Sequence, residues 1–271
     1  MSDTPPPPPP PATPPQSSAQ ASVPPPPPPP PPPVPPAPRG LRFDVGVPPA
    51  GWTALTVLFG TLAAIGIVIF GTFPIAFFDP EIETTAGKDV AQLMVGVALI
   101  GAALIFATID AKGKLREALR RLGYQGLAWR IIGLGALAWG AYLLCALVLS
   151  PLLSPEQEDV TKEIGSDGGT LGLIIAGFLI VVVAPLSEET FFRGFMFAGL
   201  RRSIPMWAAA VISAAVWGSL HLTGGNVGVA IQLAVFGVIL AWVYEHTGSL
   251  YAPIFAHMLN NAIAFAYLVS N

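Results

Sequence analysis

Ala184-Pro185-Leu186-Ser187-Glu188-Glu189-Thr190-Phe191-Phe192-Arg193-Gly194 sets two adjacent carboxylates and a guanidinium at the end of the apolar run Leu171 to Ala184. An ionised carboxylate in the middle of a membrane helix costs about 2.5–3.5 kcal/mol on insertion scales, so a chain that keeps two of them there is expected to use them. Two histidines, His221 and His257, lie in later apolar runs. Four ionisable groups are therefore available to meet inside a bilayer.

The composition agrees with that setting. Hydrophobic residues make up 53% of the chain and charged residues 11%, where soluble domains carry roughly 25% charged residues. The pattern is that of an integral membrane protein. No basic cluster with interleaved aromatics points to nucleic acid, and the net charge of −3 says little about partners. The single cysteine, Cys145, sits in an apolar run, which excludes an intrachain disulfide and a cysteine-based metal site.

From Gly51 onward apolar runs alternate with short polar breaks, each run near the roughly 20 residues that a bilayer requires. The pattern predicts an all-α polytopic bundle of about seven transmembrane helices, near 52–78, 90–109, 127–149, 171–200, 205–222, 227–244 and 250–269. Basic residues set the orientation. Arg39 and Arg42 precede the first span, Lys112, Lys114, Arg116, Arg120, Arg121 and Arg130 fill the second connection, and Arg201 with Arg202 follow the fourth span. The intervening loops are acidic and carry only Lys88 and Lys162. The positive-inside rule then expects a cytoplasmic N-terminus and a C-terminus on the opposite side; a bacterial plasma membrane is the expected location.

Ahead of the spans, residues 1–40 hold 22 of the 31 prolines. Such a segment lacks backbone donors and apolar side chains to bury, so 1–45 is expected to be a disordered, polyproline II-like cytoplasmic tail. It has no charged start followed by an apolar core and does not read as a signal peptide. A ligand for proline-recognition domains is one role for it; a plain linker is the simpler one.

Within the fourth span, Glu189 and Arg193 are four apart and share a helix face, so they can pair. Glu188 is rotated by about 100° from Glu189 and lacks a local cation. A carboxyl group in an apolar site beside a second carboxylate holds its proton more tightly, which suits a general base working near neutral pH. This makes Glu188 the candidate base and Glu189 its neutralised support; the alternative is a structural ion pair joining helices. Spans four and five form a hairpin turning near Ser203, with Glu188 15 residues before the turn and His221 18 after it. At 1.5 Å per residue the offset is about 4.5 Å, so His221 is expected at the level of Glu188. In the last span His257 and Asn261 share a face while Asn260 points elsewhere. Both can offer donors to a developing oxyanion, His257 can ligate a metal, or the pair can simply join helices. His246 reads as a solvated turn residue.

Glu188-Glu189 with Arg193 four residues on, an aromatic four before His221, and His257 four before Asn261 together resemble the three motifs of the CPBP family. That family comprises CAAX prenyl endopeptidases and bacteriocin-processing or immunity proteins, also called Abi proteins. The resemblance covers about residues 170–265, so 166–271 reads as the protease core and 50–165 as accessory transmembrane helices. One departure is Trp217, where the family usually has phenylalanine, which reads as a conservative exchange of one aromatic ring for another. The resemblance implies an intramembrane endopeptidase acting on membrane-associated peptides or proteins, of CAAX or another type. It implies that Glu188 activates a water, that His221 helps hold it, and that His257 and Asn261 stabilise the oxyanion. Two histidines and two glutamates are enough for a divalent metal such as zinc, with His221, His257 and Glu188 as ligands, although no His-Glu-x-x-His helix is present. A metal-free glutamate mechanism fits equally well.

Two alternatives belong to other classes. A non-catalytic immunity or scaffold protein could keep the same fold. A transporter with a carboxylate–histidine proton relay would be expected to show paired repeats, and the first three spans carry no polar counterpart of the last four. One tension concerns depth. His257 lies about 9 Å into its span, whereas His221 would approach the opposite face if span five crossed completely. Both can serve one site only if the turn between spans four and five protrudes and the Thr223-Gly224-Gly225-Asn226 link is partly buried in protein or a water-filled cavity.

Overall fold

A computed structural model describes residues 46–82, 84–153, 169–222 and 226–270, besides Pro5 and Pro8. The rest of the proline-rich tail, the acidic loop 154–168 and the Thr223–Gly225 part of the link lie outside the described residues. Backbone in hydrocarbon must satisfy its own N–H and C=O groups, and a helix does so within one segment. Accordingly the described chain forms eight helices: α1 (Ala54–Thr72), α2 (Thr85–Asp110), α3 (Leu115–Arg121), α4 (Trp129–Leu153), α5 (Gly169–Arg201), α6 (Met206–Ser219), α7 (Val227–Thr247) and α8 (Tyr251–Ser270). They belong to one compact unit, Leu41–Asn271.

Six of them, α1, α2, α4, α5, α7 and α8, are long and apolar enough to cross a membrane. Large apolar side chains such as Phe70, Leu144 and Leu147 stand outward on α1 and α4, where a soluble protein would carry polar groups. The chain is an integral membrane protein. The seven expected spans resolve into these six and the shorter α6, whose 14 residues cover about 21 Å of a roughly 30 Å hydrocarbon layer. Its last turns tighten at Leu220–Leu222, whose N–H groups bond carbonyls three residues back. Asn226 then caps α7 by accepting from the Val229 N–H at 3.1 Å. Gly248, at φ 62°, ends α7 in the left-handed conformation that glycine adopts without a Cβ penalty.

α6 and α7 pack antiparallel through glycine. A Cβ on Gly218 would stand 2.7 Å from Ala230 O, and one on Gly237 2.8 Å from Ala214 Cβ. α5 is seated in the same way: Gly60 of α1 lies against the Phe195 ring, and Gly96 of α2 against Val183 and Ser187. Trp52 fixes the register by donating to Phe195 O at 2.8 Å.

The basic connections share one end of the bundle. There Arg121 pairs with Asp110, Arg201 pairs with Glu245, and Arg202 donates to the carbonyls of Ala50 and Gly51. At this end the segment 122–126 is zipped to 248–250. Leu250 N donates to Gly123 O at 2.8 Å, Gln125 Nε2 to Gly248 O at 3.2 Å and Ser249 Oγ to Gln125 O at 2.7 Å. This zipped pair is sunk against Gly194, whose Cβ position is 2.9 Å from Leu122 O and 3.4 Å from Leu250 Cδ2. Gly194 is seven residues short of Arg201, so the α5–α6 turn projects about 10 Å beyond the start of α8. This is the protruding turn that the depth argument requires; most of the link, Thr223–Gly225, lies outside the described residues. Counting inward from the Gly194–Leu250 level, Glu188 is six residues along α5 and His257 seven along α8, nearly the same depth.

Candidate active site

α5 carries the charged residues through an irregular stretch. Leu179–Val183 and Glu189–Phe197 are π-helical, flanking the α-helical turn Ala184–Glu188. π segments inside α-helices occur frequently at functional sites. Pro185 contributes to the first of them. Its ring supplies no N–H, so the carbonyl that this N–H would serve needs another donor.

Glu189 and Arg193 are fully buried and paired, with Nη1 donating to Oε1 at 2.8 Å. His257, 4% exposed, reaches the same oxygen through Nδ1 at 2.9 Å. Because a carboxylate only accepts, this contact gives the Nδ1 proton to Glu189 and turns Nε2 toward Glu188. Nε2 lies 4.0 Å from Glu188 Oε2. Glu189 is thus the partner of two cations or donors, as expected of a neutralised support, and Glu188 stays outside that pairing. Among the described residues, Glu189 Oε2 and Arg193 Nε and Nη2 are buried without a hydrogen-bond partner. Polar groups in that condition favour a wet interior at the site.

Trp217 is the residue that the sequence reading undervalued. Its Nε1 donates to Glu188 Oε2, and the Arg193 guanidinium carbon sits 4.7 Å over its ring. The rings of His221 and His257 each approach it edge-on, with centroids 5.2 Å away. Phenylalanine supplies the ring but no N–H, so the departure from the family pattern is not conservative here. The signal was present, since an indole one turn before a motif histidine carries a donor that phenyl lacks.

His221 follows one turn later, its Nδ1 3.0 Å from the carbonyl of Trp217 in its own chain. Asn261 donates through Nδ2 to Ile180 O at 3.0 Å and accepts from Asn260 at 3.3 Å. Its contacts therefore join α8 to the first π segment. Among the described residues no group of three or more His, Cys, Asp or Glu side chains converges as metal ligands. Of the expected set, His257 Nε2 lies 4.0 Å from Glu188 Oε2, and the His221 and His257 rings both flank the Trp217 indole. His246 bonds the carbonyl of Trp242 at the basic end, away from these groups.

Several curated proteins are similar to parts of the chain. A 24.3 kDa uncharacterized protein of Escherichia coli is 27% identical over 154 residues, covering 56% of this chain and 65% of that protein. YyaK of Bacillus subtilis, also uncharacterized, is 24% identical over 140 residues, 49% of this chain and 46% of its own length. The Bacillus subtilis protein named "Putative membrane peptidase YdiL" is 29% identical over 80 residues, 30% of this chain and 32% of that protein. The chain thus spans from about a third to just under two thirds of the relatives it matches. No solved structure matches it. Residues 170–263, the stretch that holds all six site residues, match the family model described as Type II CAAX prenyl endopeptidase Rce1-like.

Proposed function

We propose that the protein is an intramembrane endopeptidase in which Glu188 activates water against a peptide bond of a membrane-associated substrate. The observation that carries this reading is the unequal treatment of two adjacent glutamates. Glu189 is fully buried and holds both Arg193 and His257 on one oxygen. Glu188 keeps Oε1 free of protein partners among the described residues and its side chain 15% exposed. A base needs that access; a purely structural ion pair does not.

In the reaction, Glu188 takes a proton from water while the water oxygen bonds to the scissile carbonyl carbon. The C–N bond then breaks, and the proton passes from Glu188 to the departing amine nitrogen. His257, held by Glu189, presents Nε2 toward the developing oxyanion and donates to it when the ring carries both protons. His221, whose ring lies 5.2 Å from that of Trp217, is assigned to help hold the water. Asn261 fixes α8 against α5 and so sets where His257 stands. The basic end is taken as cytoplasmic by the positive-inside rule. The proline-rich tail is read as a linker, with proline-recognition domains as its candidate partners.

The test is cleavage of lipidated and unlipidated membrane peptides by the purified protein in detergent, comparing wild type with Glu188→Gln, with and without a chelator. Cleavage abolished in the variant supports Glu188 as base, and insensitivity to chelation supports a metal-free step. Absence of cleavage by wild type, or equal cleavage by the variant, would shift the assignment to an immunity or scaffold role.

A further inference from the structure

We propose that Trp217 is a positioning residue whose indole N–H anchors Oε2 of Glu188 and so dedicates Oε1 to the water. The inference rests on the reading of Glu188 as base. A carboxylate has two equivalent oxygens and two free torsions near its end, so an untethered glutamate offers a base in many orientations. Preorganisation of the reacting group is a large part of what an active site contributes. Here one oxygen is taken by Nε1 of Trp217. The groups facing it on neighbouring elements are His257, with Nε2 at 4.0 Å, and the Glu189–Arg193 pair. Oε1 is left as the oxygen without a protein partner among the described residues.

The indole is itself held firmly. It is 1% exposed, and a Cβ added to the next residue, Gly218, would lie 2.7 Å from the Ala230 carbonyl, so α6 cannot roll on α7. Its face carries the Arg193 guanidinium at 4.7 Å, and its ring lies 5.2 Å from those of His221 and His257. A cation over the ring withdraws electron density and strengthens the N–H as a donor. Trp217 therefore ties the base, the buried cation and both histidines to one rigid plane. Phenylalanine would keep the packing and lose the tether.

The experiment has two arms on full-length protein in detergent micelles. In the first, indole 15N–1H spectra of the six tryptophans are compared for wild type, Trp217→Phe and Glu188→Gln. The resonance missing in Trp217→Phe identifies Trp217, and it is expected to move upfield in Glu188→Gln, because an amide oxygen is a weaker acceptor than a carboxylate. In the second, position 217 carries benzothienylalanine, which preserves ring shape and lacks the N–H. The expected result is kcat lowered about 10- to 100-fold, the range of a hydrogen bond to a charged group, with KM within about twofold. Trp217→Phe should show the same split. An unmoved resonance, or unchanged kcat in the benzothienylalanine protein, overturns the role of Trp217 while leaving the hydrolase intact. A moving resonance in a wild type that cleaves nothing overturns the hydrolase reading, and the positioning role falls with it.

Discussion

Asn261 donates to the carbonyl of Ile180 at 3.0 Å, and Ile180 is the residue whose acceptor Pro185 leaves unserved. In this π segment bonds run five residues back, as Ala184 N–H to Leu179 O shows. The next N–H in that register belongs to position 185, which has none. The asparagine amide from α8 supplies it. Asn261→Ala should then destabilise the protein by about 1–3 kcal/mol, the cost of a buried unsatisfied carbonyl. Pro185→Ala in the same background should recover much of the loss, because the backbone at 185 regains its donor. Thermal unfolding of the two single variants and the double variant in detergent measures the coupling. Strict additivity would dissociate Asn261 from the proline.

The Glu189–Arg193 pair predicts an asymmetry between single and double replacement. Both side chains are fully buried. Arg193→Met leaves a buried carboxylate with His257 alone and is expected to cost about 3–5 kcal/mol, whereas replacing both members by apolar residues should cost far less. Gly237→Ala belongs to the same series, since its Cβ would fall 2.9 Å from Arg193 Nη2 and 2.8 Å from Ala214 Cβ. It should lower both stability and turnover. A Gly237→Ala protein with wild-type melting and turnover would show that the guanidinium is not confined as described.

Much of this site was legible in the sequence because charge in an apolar run is conspicuous. The i,i+4 spacing of Glu189 and Arg193 was enough to pair them. The partner of Glu188 was not singled out, because it is a neutral indole to which the spacing of charges does not point. Hairpin counting at about 1.5 Å per residue puts Trp217, 14 residues past the turn, nearer the level of Glu188, 15 before it, than His221 at 18. Nine of those 15 residues, Glu189–Phe197, are π-helical, and the wider turns shorten the rise. Glu188 lies nearer the turn still and meets Trp217, one helical turn before His221. The partner of Asn261 was hidden because Pro185 marks Ile180 only once the five-residue register is known. The depth of the 122–126 and 248–250 segments had no sequence signal beyond Gly194.

Outside the membrane, Glu117 gives a pH dependence with a definite sign. Arg120 and Arg121 donate to its carboxylate at 2.7–2.8 Å and lower its pKa from 4.5 to about 2. A depressed folded-state value means that the folded protein favours the ionised form. The resulting stabilisation is complete above about pH 4.5 and is lost as pH falls toward about 2. The group is exposed, so the effect is small and screened by salt. The melting temperature of wild type should exceed that of Glu117→Gln slightly near neutral pH at low salt, and the gap should close on acidification or at high salt. A gap that widens in acid would reverse the assignment.

Gly194 tests the level matching on which the whole site depends. Its Cβ would stand 2.9 Å from Leu122 O, a backbone atom already fixed by the Tyr244 hydroxyl at 3.0 Å. Neither partner can yield as a flexible side-chain end would. Gly194→Ala must therefore push the 122–126 segment, and with it the zipped start of α8, away from α5. His257 sits seven residues along α8 and would move off Glu189. Overpacking of this kind costs about 1–3 kcal/mol, while a displacement near 1 Å can cost about 100-fold in rate. Turnover should thus fall much further than stability. Gly140→Ala on α4, where a Cβ meets nothing within 4 Å, serves as the control and should change neither. If Gly194→Ala lost only stability and kept its turnover per folded molecule, the position of His257 would not depend on this contact.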